Sequence, residues 1–249
     1  MTDPQVTAAR VKAAIGVLGG GFMISREAKA LCERTGLSAR ALYFRGRCGV
    51  LGEVSADVIL ATTVFFPAEH VRKYWEEGRA LPVAEAVGLY AGACHDWGRR
   101  RLGGFAGAAR LAELLEPVVD NADVLGAPLF AGWREVPLAD DPPARAAQLL
   151  HLVRELRGGL HAVAVLAEGL TPLEATLLAA HDGTPLGARS GETMARFFDW
   201  PEPFPQPGPE AVERRTRAEK LTDVLMAPAF SVLDEADSAE LVELLARAG

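Results

Sequence analysis

Apolar residues in this chain recur at helical spacing between caps and breakers, and no convincing strand pair or alternating strand–helix pattern interrupts them. The clearest run is PPARAAQLLHLVRELRGG at 142–159, an amphipathic helix opening on two prolines. Other boundaries carry their own chemistry. Ser25 caps REAKALCERTG, which stops at Gly36. Thr171 caps PLEATLLAAH, with Pro172 in the first helical position and Glu174 completing a capping box. Helices are expected at 7–18, 26–35, 38–45, 67–78, 82–102, 104–120, 142–158, 160–168, 172–181, 192–199, 210–227 and 237–248, with a buried apolar helix after Ser55 that stops before Pro67. The fold class is therefore mainly α.

The breaks divide the chain. Gly19–Gly21 are expected to end or bend the first helix, and Gly158–Gly159 to interrupt the long one. RGRCGVLG at 45–52 reads as irregular, and 183–191 as a turn. The stretch 121–143 holds four prolines and is expected to be a linker or a long ordered loop. It suggests a helical domain over 1–125 and a second over 126–249. Five prolines in PEPFPQPGP, 201–209, exclude regular structure there.

Charge narrows the function classes. With 33 acidic and 26 basic side chains the net charge is -7, which argues against a general nucleic-acid coat without excluding a small basic patch. No run approaches about 18 uninterrupted apolar residues, so no membrane partner is expected. Cys32, Cys48 and Cys94 are too widely spaced for a redox pair or zinc knuckle, which suits a reducing, cytoplasmic setting. The five histidines show no metal-ligand spacing. Neither a nucleophile elbow nor a dinucleotide fingerprint is present, so no metal and no cofactor are expected.

Four polar sets stand out in this apolar background. In RELRGGLH at 154–161, His161 has the near-neutral pKa of a general acid or base, with Glu155 or Glu168 to orient it and Arg157 beside it. The alternative is a capping histidine and a surface ion pair. In YFRGRCG at 43–49, Arg47 among glycines forms an anion-binding corner with Tyr43 upstream, while Cys48 is either an activated thiol or simply buried. On the helix after Pro67, His70 and Tyr74 share a face and, with Trp75, can line an aromatic pocket; a polar outer face with Tyr74 or Trp75 packed inward is the alternative. At 94–97, His95 and Asp96 are adjacent and cannot face one another in a helix. The reading that unites these sets is a small organic molecule bound between the halves. If there is a reaction, it would use His161, Arg47 and Glu155 in catalysis and Tyr43, Arg47, Cys48, His70, Tyr74 and Arg157 in binding.

Two segments, YFRGRCGVLGEVSADVILATTVFF at 43–66 and LVRELRGGLHAVAVLAEGLTPLEATLLAA at 152–180, together resemble an actinobacterial family described as helix-turn-helix or winged-helix-like. RTRAEKLTDVLMAPAFSVLDEADSAELVELL at 215–245 is similar to the paired terminal helices of MarR-type regulators, which pack against a partner subunit. The resemblance implies a winged-helix-like second half, a homodimer through 210–248 and, as an alternative function, a ligand-responsive transcription regulator. The residues depart from a working winged helix. HDGTPLGARSGETMARFFDWPEPFPQPGP, 181–209, offers only Arg189 and Arg196 where a recognition helix and wing should follow. The second half is thus expected to be degenerate, with its DNA-reading function lost. Leu221, Val224, Leu225, Phe230, Leu233, Leu241, Leu244 and Leu245 supply the apolar surface expected at the dimer interface.

Overall fold

A computed structural model describes residues 3–179 and 191–249. Among them are thirteen α-helices and no strand: α1 Pro4–Gly20, α2 Arg26–Thr35, α3 Ala39–Cys48, α4 Ala56–Thr63, α5 Ala68–Gly78, α6 Val83–Leu102, α7 Ala108–Asn121, α8 Pro128–Arg134, α9 Pro142–Ala167, α10 Pro172–Leu177, α11 Gly191–Phe197, α12 Pro209–Phe230 and α13 Glu235–Ala248. The mainly α expectation holds. The turn expected at 183–191 falls almost wholly outside the described residues.

Helix α9 is the axis of the molecule and packs against α1, α6, α7, α8 and α12. Its inward side chains explain this: Leu149, Leu150, Leu152, Val153 and Leu156 are all buried. It runs unbroken for 26 residues, so the interruption expected at Gly158–Gly159 does not occur. Gly159 instead permits a crossing, because a Cβ there would lie 2.6 Å from Ala127 Cα. The same holds at the start of the chain. Helix α1 is capped by Asp3, which accepts from Gln5 N at 2.9 Å, and continues through Gly19 and Gly20 rather than ending before them. There the bare glycines let α9 approach at Leu150 and Arg154. Thr7 lies buried within α1.

The stretch 121–143 is ordered. It contains α8, whose Phe130 and Trp133 are buried. Gln148 of α9 pins the residues after α8, accepting from Ala139 N at 3.1 Å and donating to Pro137 O at 3.0 Å. The RGRCGVLG stretch is mostly helical, since α3 extends to Cys48 and a 3-10 turn follows. Pro67 and Pro82 sit at N-cap positions, just outside α5 and α6. The capping box at Thr171 and Glu174 is present, and residues 201–208 form no regular element.

Of the eight apolar residues expected at a dimer interface, Phe230, Leu241, Leu244 and Leu245 are buried within the chain's own core, while Val224 is 47% exposed. The N-terminal stretch Pro4–Thr35 is long and apolar enough to cross a membrane by length and composition alone, its most apolar 18 residues having a mean hydropathy of 1.2. A 3-10 turn at Gly21–Ile24 interrupts it, and Lys12 in its middle is paired with Asp223 of α12 at 3.1 Å.

Candidate functional site

The polar residues of α3 and α9 meet inside the protein. Tyr43 and Arg47 are four apart on α3 and share a face, and Arg47 reaches Glu155 of α9 through two parallel hydrogen bonds, Nε to Oε1 at 2.9 Å and Nη2 to Oε2 at 2.7 Å. Arg47 Nη1 also donates to the Tyr43 hydroxyl at 2.8 Å. Arg154, partly open to solvent, donates to Glu155 Oε1 at 2.8 Å. Burial opposes the charge on Glu155, but Arg47 and Arg154 outweigh it and hold the carboxyl down at about 2. The centre therefore carries two cations and one anion.

Two further side chains complete this centre. Tyr90 of α6 and His151 of α9 are each 1% exposed. Among the described residues the Tyr90 hydroxyl and both His151 ring nitrogens lack a well-formed hydrogen bond, although the Gly19 backbone approaches the His151 ring. Glu155 Oε1 lies 3.7 Å from His151 Nδ1. Burial drives the His151 ring down to about 4 and the Tyr90 phenol well above its usual value. Both are therefore neutral at pH 7. Phe22 and Trp133 flank them, the ring centroids lying 5.2 Å and 4.7 Å from His151.

A second polar set lies further along α9, against α12. His161 accepts from Arg215 at Nε2 and lies 2.9 Å from the Thr222 hydroxyl at Nδ1. Thr222 donates onward to Ala218 O at 2.7 Å, which leaves its lone pairs to accept from Nδ1–H. Arg157 donates to Glu219 Oε2 at 2.7 Å, and Arg215 lies 2.9 Å from Oε1. Burial, then the neighbouring Arg215, push His161 down to about 3. Both its nitrogens are engaged, so the acid–base role expected of it has no free ring atom to act through. The capping alternative does not describe it either, since His161 lies inside α9, its partners are a hydroxyl and a guanidinium, and Arg157 pairs with the buried Glu219. A third set joins His70 Nδ1 to Asp199 Oδ2 at 3.0 Å, with Arg40 bridging Asp199 and Tyr74.

The structure thus unites Tyr43, Arg47 and Glu155 and separates the other expected residues. His161 and Arg157 gather around Glu219, not Glu155. Six residues at about 100° each put Glu155 and His161 on different sides of α9, and Glu168 pairs with Arg217 at 2.7 Å. His70 and Tyr74 belong to the Asp199 set. Cys48 is fully buried, which pushes its thiol up to about 12, so the activated-thiol alternative does not hold. Among the described residues no cluster fits a metal ion. Sequence reasoning missed Tyr90, His151 and Arg154. The i,i+4 spacing of His151 and Glu155 was a readable signal; Tyr90 sits in an apolar helix and gave none.

Helices α2 and α3 are joined by a three-residue turn, Gly36, Leu37 and Ser38. Ser25 caps the first, accepting from Glu27 N and Ala28 N, and Ser38 caps the second, accepting from Ala41 N at 3.1 Å. A DNA-reading unit exposes its second helix. Here Ala41, Leu42 and Phe44–Cys48 are buried. Arg45 is tied to Glu53 and to Leu81 O, and Arg47 to Glu155. Elsewhere Arg99, Arg100, Arg110 and Arg145 are also matched to carboxylates. A family model described as a helix-turn-helix family matches residues 8–249. No curated protein and no solved structure matches the chain.

Proposed function

Because this chain belongs to a helix-turn-helix family, we propose that it uses that scaffold to bind a small organic molecule rather than to read DNA, in the cytoplasm. The binding centre would be the one formed by Tyr43, Arg47, Tyr90, His151, Arg154 and Glu155. One observation carries this reading: among the described residues, the buried Tyr90 hydroxyl and His151 ring lack a well-formed hydrogen bond beside a centre with an excess of positive charge. Buried polar atoms are normally satisfied, so such a group invites a guest, whether ordered water or a ligand. A ligand with an acidic or strongly accepting head suits the surplus cation. Arg154, at the solvent edge beside Gly20, is the side chain that would admit it. Any catalysis would have to use this centre, with Arg47 and Arg154 stabilising negative charge.

The test is a thermal-shift screen of small polar aromatic and aliphatic compounds against the parent chain, Tyr90→Phe and Arg154→Gln. Compounds that stabilise the parent should lose most of their shift in both variants. The reading is wrong if no stabilising compound depends on either residue.

Family membership favours a second reading, a MarR-like ligand-responsive regulator, which requires a positive face that a dimer could supply. Self-association through 210–248 belongs to it. A gel shift at low salt with the gene's own upstream DNA tests the first, and light scattering the second; unshifted DNA and a monomeric mass remove them.

A further inference from the structure

Helix α11 and the three residues after it, 191–200 in all, are tied to the body at their two ends. At the first, Gly191 lies so close to the α10 backbone that no Cβ would fit beside Leu177 O. At the second, contacts gather from α3, α5 and the turn before α5. Arg40 donates to Phe197 O at 2.9 Å and to Asp199 Oδ1 at 3.3 Å, and its guanidinium lies 5.5 Å from the ring centroids of both Tyr74 and Phe197. Asp199 Oδ2 lies 3.0 Å from His70 Nδ1. Phe198 packs on Phe66 with centroids 4.4 Å apart, and Trp200 Nε1 donates to Phe65 O at 3.2 Å.

These ties are light. A helix of seven residues does not persist alone in water, so α11 depends on them. Met194 and Ala195 are buried, yet among the described residues only Phe198 of this segment joins the main apolar core. Arg196 pairs with Glu192 and Glu202, within the segment or just past it. The Arg40 and Asp199 side chains are 35% and 44% exposed, so water competes for their pairing. The receiving turn is strained as well. Val64, immediately before Phe65 and Phe66, has φ 27°, a conformation that a β-branched residue keeps only where its surroundings impose it.

We propose that residues 191–200 are a strap that releases as a unit while the body stays folded, with Asp199 and Phe198 as its latch on Arg40, His70 and Phe66. Release lets Val64 relax and bares Phe66, and with it the Tyr43 ring, whose centroid lies 5.8 Å from that of Phe66.

Native-state hydrogen exchange on the full chain tests this. The amides of Phe198, Asp199 and Trp200 donate to carbonyls of α11, so they are protected only while the strap is in place. They should exchange faster than the amides of α9 and respond little to low urea, because strap release exposes little surface. Asp199→Asn, which tolerates the same backbone angle, should speed them about threefold to tenfold, and Phe198→Ala at least tenfold. Gly159→Ala weakens only the body, so it should speed α9 exchange about fivefold to thirtyfold and leave the strap amides unchanged. Strap amides that exchange at the α9 rate with the α9 urea dependence, that accelerate with α9 in Gly159→Ala, that ignore both latch variants, or that lack protection in the parent would overturn the proposal.

Discussion

Helix α9 carries two buried polar stations, and they differ in how their histidines are held. At His161 both ring nitrogens are engaged: Arg215, Thr222 and the Ala218 carbonyl form a chain through the ring, and Glu219 is ringed by Arg157, Arg215 and Lys12, although Arg157 Nε and Glu219 Oε1 lack a hydrogen bond among the described residues. At Glu155 the charges are matched, yet Tyr90 and His151 beside them are left open. A closed network rigidifies a helix pair, whereas an open one carries a desolvation penalty that only a guest can relieve. The histidine with the more suggestive sequence context is thus the structural one, and the unremarked His151 stands at the candidate site.

Removing the charge match should have the largest effect. Glu155→Leu strands Arg47 in the interior and should destabilise by about 3–5 kcal/mol in urea unfolding. The double variant Arg47→Met/Glu155→Leu should recover most of that loss, since no charge remains buried there. A single variant within 1 kcal/mol of the parent (about a tenth of typical domain stability) would mean that the pair is not buried as described.

The closed station comes next. His161→Leu leaves Arg215 and Thr222 without their partner and should cost about 2–4 kcal/mol at pH 7. It should also flatten the acid limb. His161 titrates at about 3 in the folded chain, below its ordinary 6.5. Between those values the unfolded chain holds a proton that the folded one does not, so stability falls as pH drops through that window. Glu219, lowered from 4.5 to about 2, adds its own loss only below about pH 4.5. The interval from 6.5 to 4.5 therefore reports on depressed histidines, His151 among them. Urea midpoints measured across it should fall less steeply for His161→Leu than for the parent, and an equal slope would remove the closed-station account.

How legible was all this in the residues? Helices with chemical punctuation were clear: Ser25, Gly36 and the Thr171–Glu174 box sit where their types require. Glycine misled in both long helices. Local propensity marks Gly19 and Gly159 as breaks, but tertiary contact decides, because each lies where another backbone crosses too closely for a Cβ. The site was half visible. Tyr43 and Arg47 declare a shared face by their spacing, but their pairing with Glu155 spans 108 positions and no local pattern encodes it. The burial of α3 depends on α5 and α6 packing over it, which no local pattern in its residues encodes.

Gly159→Ala gives a smaller effect and bears on the frame that holds both stations. The added methyl would meet Ala127 Cα at 2.6 Å and Gly126 O at 2.7 Å, backbone that cannot simply rotate away. Overpacking of this kind costs about 1–3 kcal/mol. Alanine's better helix propensity returns about 1 kcal/mol, so the net loss should be about 1–2 kcal/mol by urea unfolding. A stabilised variant would show that the loop at Gly126–Ala127 does not cross there.

The smallest expected change is the most discriminating between the two stations. Tyr90→Phe deletes a hydroxyl that has no partner, so stability should stay level or rise by up to about 1 kcal/mol as a desolvation penalty disappears. Thr222→Val deletes a hydroxyl that both accepts and donates, and should lose about 1–2 kcal/mol. The sign of this pair separates an open station from a closed one without any ligand in hand. If Tyr90→Phe instead loses as much as Thr222→Val, its hydroxyl is satisfied in solution and the contrast along α9 fails. If it gains stability while surrendering the thermal shift of a bound compound, the open atoms are held at a cost in folding for the sake of binding, which is the trade expected of a functional site.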